Sequence, residues 1–227
     1  MASNPREGSP ILCLDTCAIL DVVRDPVRGD AHAEDHAASL ALLRTAETDG
    51  RLRVLITDVV LSEFAENVDA VQAEAEASLA RFLERIAAMN RLAALHDSPG
   101  RVDVAHWEGH VRRCRLVADR WLQVGTALPR SDEIDRRAMR RVFESRRPSR
   151  RGKDSTKDCV ILETFLEHLR FLRTTDETAP AVFLSSNTRD FARPRGPGVA
   201  DDIAEEFDSV GLRYASGMAG AKRLLGL

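Results

Sequence analysis

Four acidic residues stand far apart in this 227-residue chain, and each borders an apolar run. Asp15 follows Ile11-Leu-Cys-Leu, and Glu63 ends Ile56-Thr-Asp-Val-Val-Leu-Ser-Glu. Asp158 precedes Cys-Val-Ile, and Asp190 closes Phe183-Leu-Ser-Ser-Asn-Thr-Arg-Asp. Asp15 and Asp190 come just past segments that read as buried strands. In an open α/β sheet the crevice outside the carboxyl ends of the strands is where ligands bind. Carboxylates gathered there repel one another unless something positive holds them, and a hard divalent cation is the usual answer. The pattern predicts a metal-dependent phosphodiesterase.

Each acid also has a plainer use. Asp15 could cap a helix by accepting backbone N–H bonds. Glu63 lies in the first turns of a helix beginning near Asp58, where solvated glutamates are common, and Glu66 shares nearly the same face. Asp154 and Asp158 are four apart, a like-charge spacing that costs roughly 0.2–0.5 kcal/mol on a helix and that a bound cation would reverse. Asp154 doubles as a cap, whereas Asp158 has no capping duty. Glu163 falls one residue off that face. Asn187 and Asp190 could form only an Asx-type turn, or could offer an amide and a carboxylate to a metal. The fourth metal position stays open between them.

The elements that must hold these groups follow from the apolar period. Residues 10–14, 53–56, 181–184 and 212–215 read as strands. Helices are expected from Asp15-Thr16 to Asp25-Pro26, from Ala31 to about Thr48, and from a Thr57-Asp58 cap to about Leu95. Trp107, His110, Val111, Cys114, Val117, Ala118 and Trp121 recur at spacings of three and four, which reads as a core stripe. A charged helix capped at Ser131 or Asp132 runs to about Ser145, and Arg146 to Gly152 is a loop. A further helix starts at Asp154-Ser155, Ser186 to Pro197 is turn-rich, and short helices flank the last strand. Strands alternating with helices imply a mainly parallel sheet covered on both faces. The length suits one domain over 1–227, with the helical stretch 64–150 as an insertion or lid.

Apolar residues make up 44% of the chain, as a packed core requires, and no run reaches the ~20 apolar residues of a membrane helix. The first ten residues lack an apolar signal core, so a cytoplasmic location is expected. Cys13, Cys17, Cys114 and Cys159 form no CxxC pair and read as free thiols. A net charge of −3 gives no overall attraction to nucleic acid, yet eleven basic residues fall between Arg130 and Lys157 inclusive. That stretch is either a phosphate-backbone footprint or a helix face paired with the acidic segment 63–77.

Together these pieces resemble the PIN-domain nucleases. The resemblance rests on Leu14-Asp-Thr-Cys-Ala-Ile-Leu-Asp, Leu61-Ser-Glu, Lys157-Asp-Cys-Val-Ile, Ser185-Ser-Asn-Thr-Arg-Asp-Phe, and Gly211-Leu-Arg before the final strand. The run Lys153-Asp-Ser-Thr-Lys-Asp is similar to a longer PIN-like branch. The resemblance implies a three-layer Rossmann-like α/β fold and a Mg²⁺- or Mn²⁺-dependent ribonuclease. Asp15, Glu63 and Asp158 would form the metal cage, Asp190 or Asn187 would be the fourth group, and Asp154 is an additional candidate. Thr16 and Ser186 could hydrogen-bond to ligands or substrate, and Arg146, Arg147, Arg150, Arg151 and Lys153 would bring the RNA backbone in. A toxin or a phage-defence effector is one expected role, with an antitoxin or defence-system protein as partner; a homodimer is another expectation. Two other readings compete. A non-catalytic RNA-binding module would share the fold, and a haloacid-dehalogenase-like phosphatase needs a second Asp where this chain has Cys17.

Overall fold

A computed structural model describes residues 8–29, 33–196 and 198–227. β1 (Ile11–Leu14), β2 (Arg53–Thr57), β3 (Thr126–Leu128), β4 (Ala181–Leu184) and β5 (Leu212–Ala215) form one sheet in the order β3-β2-β1-β4-β5. Every neighbouring pair is parallel, with Ile11 beside Arg53 on one side and Ala181 on the other. β1 and β4 are unbroken apolar runs in which every residue is buried, as strands covered on both faces must be.

The helices are α1 (Thr16–Leu20), α2 (Ala33–Asp49), α3 (Asp58–Leu95), α4 (His110–Val124), α5 (Asp132–Glu144), α6 (Thr156–Thr174), α7 (Thr188–Phe191), α8 (Asp201–Ser209) and α9 (Met218–Leu225). Strand order reverses at β1, with β2 and β3 on one side and β4 and β5 on the other. Right-handed crossovers then put α2, α3 and α4 on one face and α5, α6 and α8 on the opposite face. α9 folds back against α2, and α5 packs along α6. The result is a three-layer α/β protein with its switch point between β1 and β4.

Local chemistry sets the boundaries. Thr57 caps α3 by accepting the Val60 N–H at 3.2 Å, and Ser131 caps α5 by accepting the Ile134 N–H at 3.3 Å. The expected start of α2 at Ala31 lies outside the described residues, as does Pro197. Thr126–Leu128 departs from the expected helical stretch by joining the sheet edge as β3. Three residues, two of them exposed, carry no period to read. Val68, Ala75, Val111, Trp121 and Ala138 from 64–150 are buried in the same cluster as the strands. All four cysteines are free.

The basic stretch is largely consumed inside the fold. Arg141, buried on α5, bonds Glu163 at 2.5 Å, the Arg147 carbonyl at 3.0 Å, and Glu206 of α8. Arg137 bonds Glu163 at 3.0 Å and Glu167 at 2.7 Å. Among the described residues the stretch reaches the acidic segment through Lys157, which lies 2.8 Å from Glu66 and 3.9 Å from Glu63. Removing one partner of a buried ion pair leaves an uncompensated charge and costs about 3–5 kcal/mol. Arg141→Ala should therefore lower the unfolding free energy in urea by about 3 kcal/mol. The exposed Arg136→Ala should change it by less than about 0.5 kcal/mol.

Candidate active site

β1 ends at Leu14, and the next residue turns the chain into α1. Asp15 keeps extended backbone angles, and its N–H donates to the Leu184 carbonyl at 3.0 Å, so it is anchored across the β1–β4 switch point. Its Oδ1 accepts the Thr16 N–H at 2.8 Å. Its Oδ2 accepts Ser185 Oγ–H at 2.6 Å and the Cys17 thiol at 3.0 Å. The capping role and the place at the strand ends are thus one geometry. Three of about four lone-pair sites are used, which leaves acceptor capacity for a cation. Burial nonetheless pushes the Asp15 carboxyl above its ordinary range, against the pull of its Cys17, Ser185 and Thr16 donors.

Glu63 reaches the same crevice from the second turn of α3. Its Oε2 accepts Thr16 Oγ1–H at 2.8 Å, so Thr16 ties two of the acids together. Burial raises the Glu63 carboxyl, the Thr16 bond lowers it, and the charge of Asp15 raises it further. Asp158 stands in the first turn of α6, where burial and the charge of Asp15 push its carboxyl up to about 6 even though Lys153 pulls the other way. The charge of Asp15 thus acts on both Glu63 and Asp158.

Asp190, on the single turn α7, is fully buried. Lys153 Nζ lies 2.5 Å from its Oδ2, Asn187 Nδ2 donates to the same oxygen at 2.7 Å, and Arg150 Nε lies 2.7 Å from Oδ1. Burial alone would raise this carboxyl, but the Lys153 and Asn187 bonds and the two cationic charges outweigh it and hold it below the usual value. Lys153 also reaches Asp158 Oδ2 at 3.2 Å. Asn187 therefore braces Asp190 through its amide N–H.

Asp154 is not drawn into these contacts. It is fully exposed and accepts the Thr156 N–H at 3.0 Å, a bond that holds its carboxyl low. Glu163 is absorbed by Arg137 and Arg141, and Glu66 by Lys157. Arg146 bonds the Asp202 carbonyl and pairs with Glu206, while Arg147 bonds the Ala192 carbonyl at 2.8 Å. Arg151 is exposed and carries no ion pair among the described residues. Ser186 lines a cleft of about 400 Å³ with Ala18, Asp21, Arg24 and Thr188. Ser185, one residue earlier, is the buried hydroxyl that holds Asp15, and Tyr214 Oη–H donates to its carbonyl at 2.7 Å. Sequence reading chose Ser186 of this pair. The signal that singles out Ser185 is its place directly after Leu184, matching that of Asp15 directly after Leu14 in the paired strand.

Among the described residues no group of three or more His, Cys, Asp or Glu side chains closes around a common point. The donors themselves are carboxylate oxygens, the chemistry that Mg²⁺ and Mn²⁺ prefer, and burial raises the proton affinity of Asp15, Glu63 and Asp158, a cost that a bound cation would offset. The donor set fits a hard divalent cation.

A parallel sheet covered by helices on both faces, with acids at its switch point, defines a three-layer α/β protein with a crevice at the carboxyl ends of its strands. The PIN domain family matches residues 12–191, and the chain belongs to that family. The family is one of nucleases that commonly use divalent metals. No curated protein and no solved structure matches the chain. No helix among the described residues is long and apolar enough to cross a membrane.

The raised Asp158 carboxyl has a consequence for the metal-free protein. The folded state holds this proton more tightly than the unfolded chain, so Asp158 destabilises the fold as pH rises from near 3.8 to about 6. Asp15 and Glu63 act in the same direction. In urea unfolding across this window, the stability of the wild type relative to Asp158→Asn should fall as pH rises. A carboxylate NMR titration should find Asp158 half-ionised near pH 6.

Proposed function

We propose that this PIN domain is a metal-dependent endoribonuclease. The observation that carries the reading is the gathering of Asp15, Glu63, Asp158 and Asp190 at one end of the sheet, with Asp158 pushed up to about 6 by burial and by Asp15. Asp15, Glu63 and Asp158 carry raised carboxyls at a cost in stability, which is characteristic of sites built for chemistry, while Asp190 is paired with Lys153 and Arg150. Asp15, Glu63 and Asp158 would hold Mg²⁺ or Mn²⁺, with Asp190 as the fourth acid. When bound, the cation lowers the pKa of an attacking water and offsets charge on a scissile phosphate.

The chain's own residues do the positioning. Ser185 and the Thr16 N–H fix both oxygens of Asp15, Thr16 Oγ1 orients Glu63, and Asn187 orients Asp190. The exposed Arg151 is free to meet the phosphate backbone, with Arg150 and Lys153 beside it at the acids. Single-stranded RNA suits this arrangement because its backbone can bend into a crevice at the carboxyl ends of the central strands.

Asp15→Asn and Asp158→Asn should each reduce Mn²⁺-dependent cleavage of single-stranded RNA at least about a hundredfold, equivalent to about 2.7 kcal/mol of barrier, with unchanged circular dichroism. Full activity in both variants would sink the assignment. Calorimetry without any Mn²⁺ heat would favour the non-catalytic RNA-binding reading. Ser185→Ala should weaken Mn²⁺ binding about 10–100-fold by loosening Asp15, as loss of a supporting hydrogen bond does at metal centres.

A further inference from the structure

Lys153 does more than line an entrance. Its ammonium touches one carboxylate of α6 and one of α7, at 3.2 Å from Asp158 Oδ2 and 2.5 Å from Asp190 Oδ2. Arg150 covers the other oxygen of Asp190 at 2.7 Å. Asp190 has no exposed side-chain surface, so it depends on these two cations and Asn187 for compensation. Lys153 sits three residues before the first residue of α6, the helix that carries Asp158.

Two-metal nucleases place cations about 3.5–4 Å apart and clamp the attacking and leaving oxygens between them. A lysine ammonium is a compact point charge with three donors, suited to one such position. We propose that Lys153 takes the place of the second metal ion, so that the centre loads a single divalent cation against Asp15, Glu63 and Asp158. This inference rests on the metal-nuclease reading and names the composition of that same site. Charge bookkeeping agrees. Four carboxylates face two built-in cations, Lys153 and Arg150, and the remaining two negative charges match one Mg²⁺ or Mn²⁺. A second ion would leave the crevice positive before any substrate arrived. Lys157 pairs with both Glu66 and Glu63, and counting it together with Glu66 leaves the same two negative charges.

The test is Mn²⁺ stoichiometry on the full chain, by calorimetry and by electron paramagnetic resonance. The wild-type protein should bind one Mn²⁺ per chain with no spin coupling between ions. Lys153→Met should bind two, with exchange-coupled signals, while Lys153→Arg keeps the positive charge and should still bind one. Thermal melts establish that both variants fold, and the wild-type value stands by itself if one does not. Two ions in the wild type, or one ion in both wild type and Lys153→Met, would overturn the inference and leave the nuclease reading intact. No Mn²⁺ binding by any of the three proteins would remove that reading and this inference with it.

Discussion

Negative charge gathered in a water-poor crevice is the constraint around which this protein is built. Like charges repel in such a crevice, burial adds to the cost, and the charge of Asp15 acts on both Glu63 and Asp158. The fold meets the cost with directed donors. Ser185, Cys17 and the Thr16 amide hold Asp15, Thr16 Oγ1 holds Glu63, and Lys153 joins Asp158 to Asp190. The raised carboxyls of Asp15, Glu63 and Asp158 are the part that these donors leave uncompensated.

Holding the acids in place requires a rigid frame, and the rest of the molecule supplies it. β1 and β4, buried throughout, fix Asp15 and Ser185 side by side at their carboxyl ends. α6 brings Asp158 to the same edge, and a buried knot of Arg141, Glu163 and Glu206 ties α6 to α5 and α8. The loop carrying Arg150 and Lys153 emerges next to that knot, where Arg141 also bonds the Arg147 carbonyl. The basic stretch thus divides its labour: Arg137 and Arg141 hold the frame, and Arg150 and Lys153 compensate the acids.

Much of this was legible in the linear pattern. Apolar runs bounded by Asp, Ser or Thr announced four of the five strands and the caps of α3 and α5, because a buried strand and an N-cap are each specified within a few residues. β3 was silent since a three-residue edge strand has neither length nor alternation. The acids could be named as a set, because Asp158 had no capping work. Their relation to Lys153, Arg150 and Ser185 could not, since those contacts join residues up to 170 positions apart. Choosing Ser185 over Ser186 depended on which hydroxyl lies in register with Asp15.

Local stereochemistry and hydrophobic period, read along the chain, were sufficient for the parallel α/β architecture and for naming the four acidic positions as candidates, because both depend on a residue and its near neighbours. The pairing of the charges was settled by folding. An arginine or lysine satisfies whichever carboxylate the packing brings within about 3 Å, so composition alone leaves its partner open. That is why a basic stretch that reads either as an RNA footprint or as a helix face paired with acid divides once packed, with Arg141 in a structural knot, Arg150 and Lys153 at the acids, and Arg151 exposed.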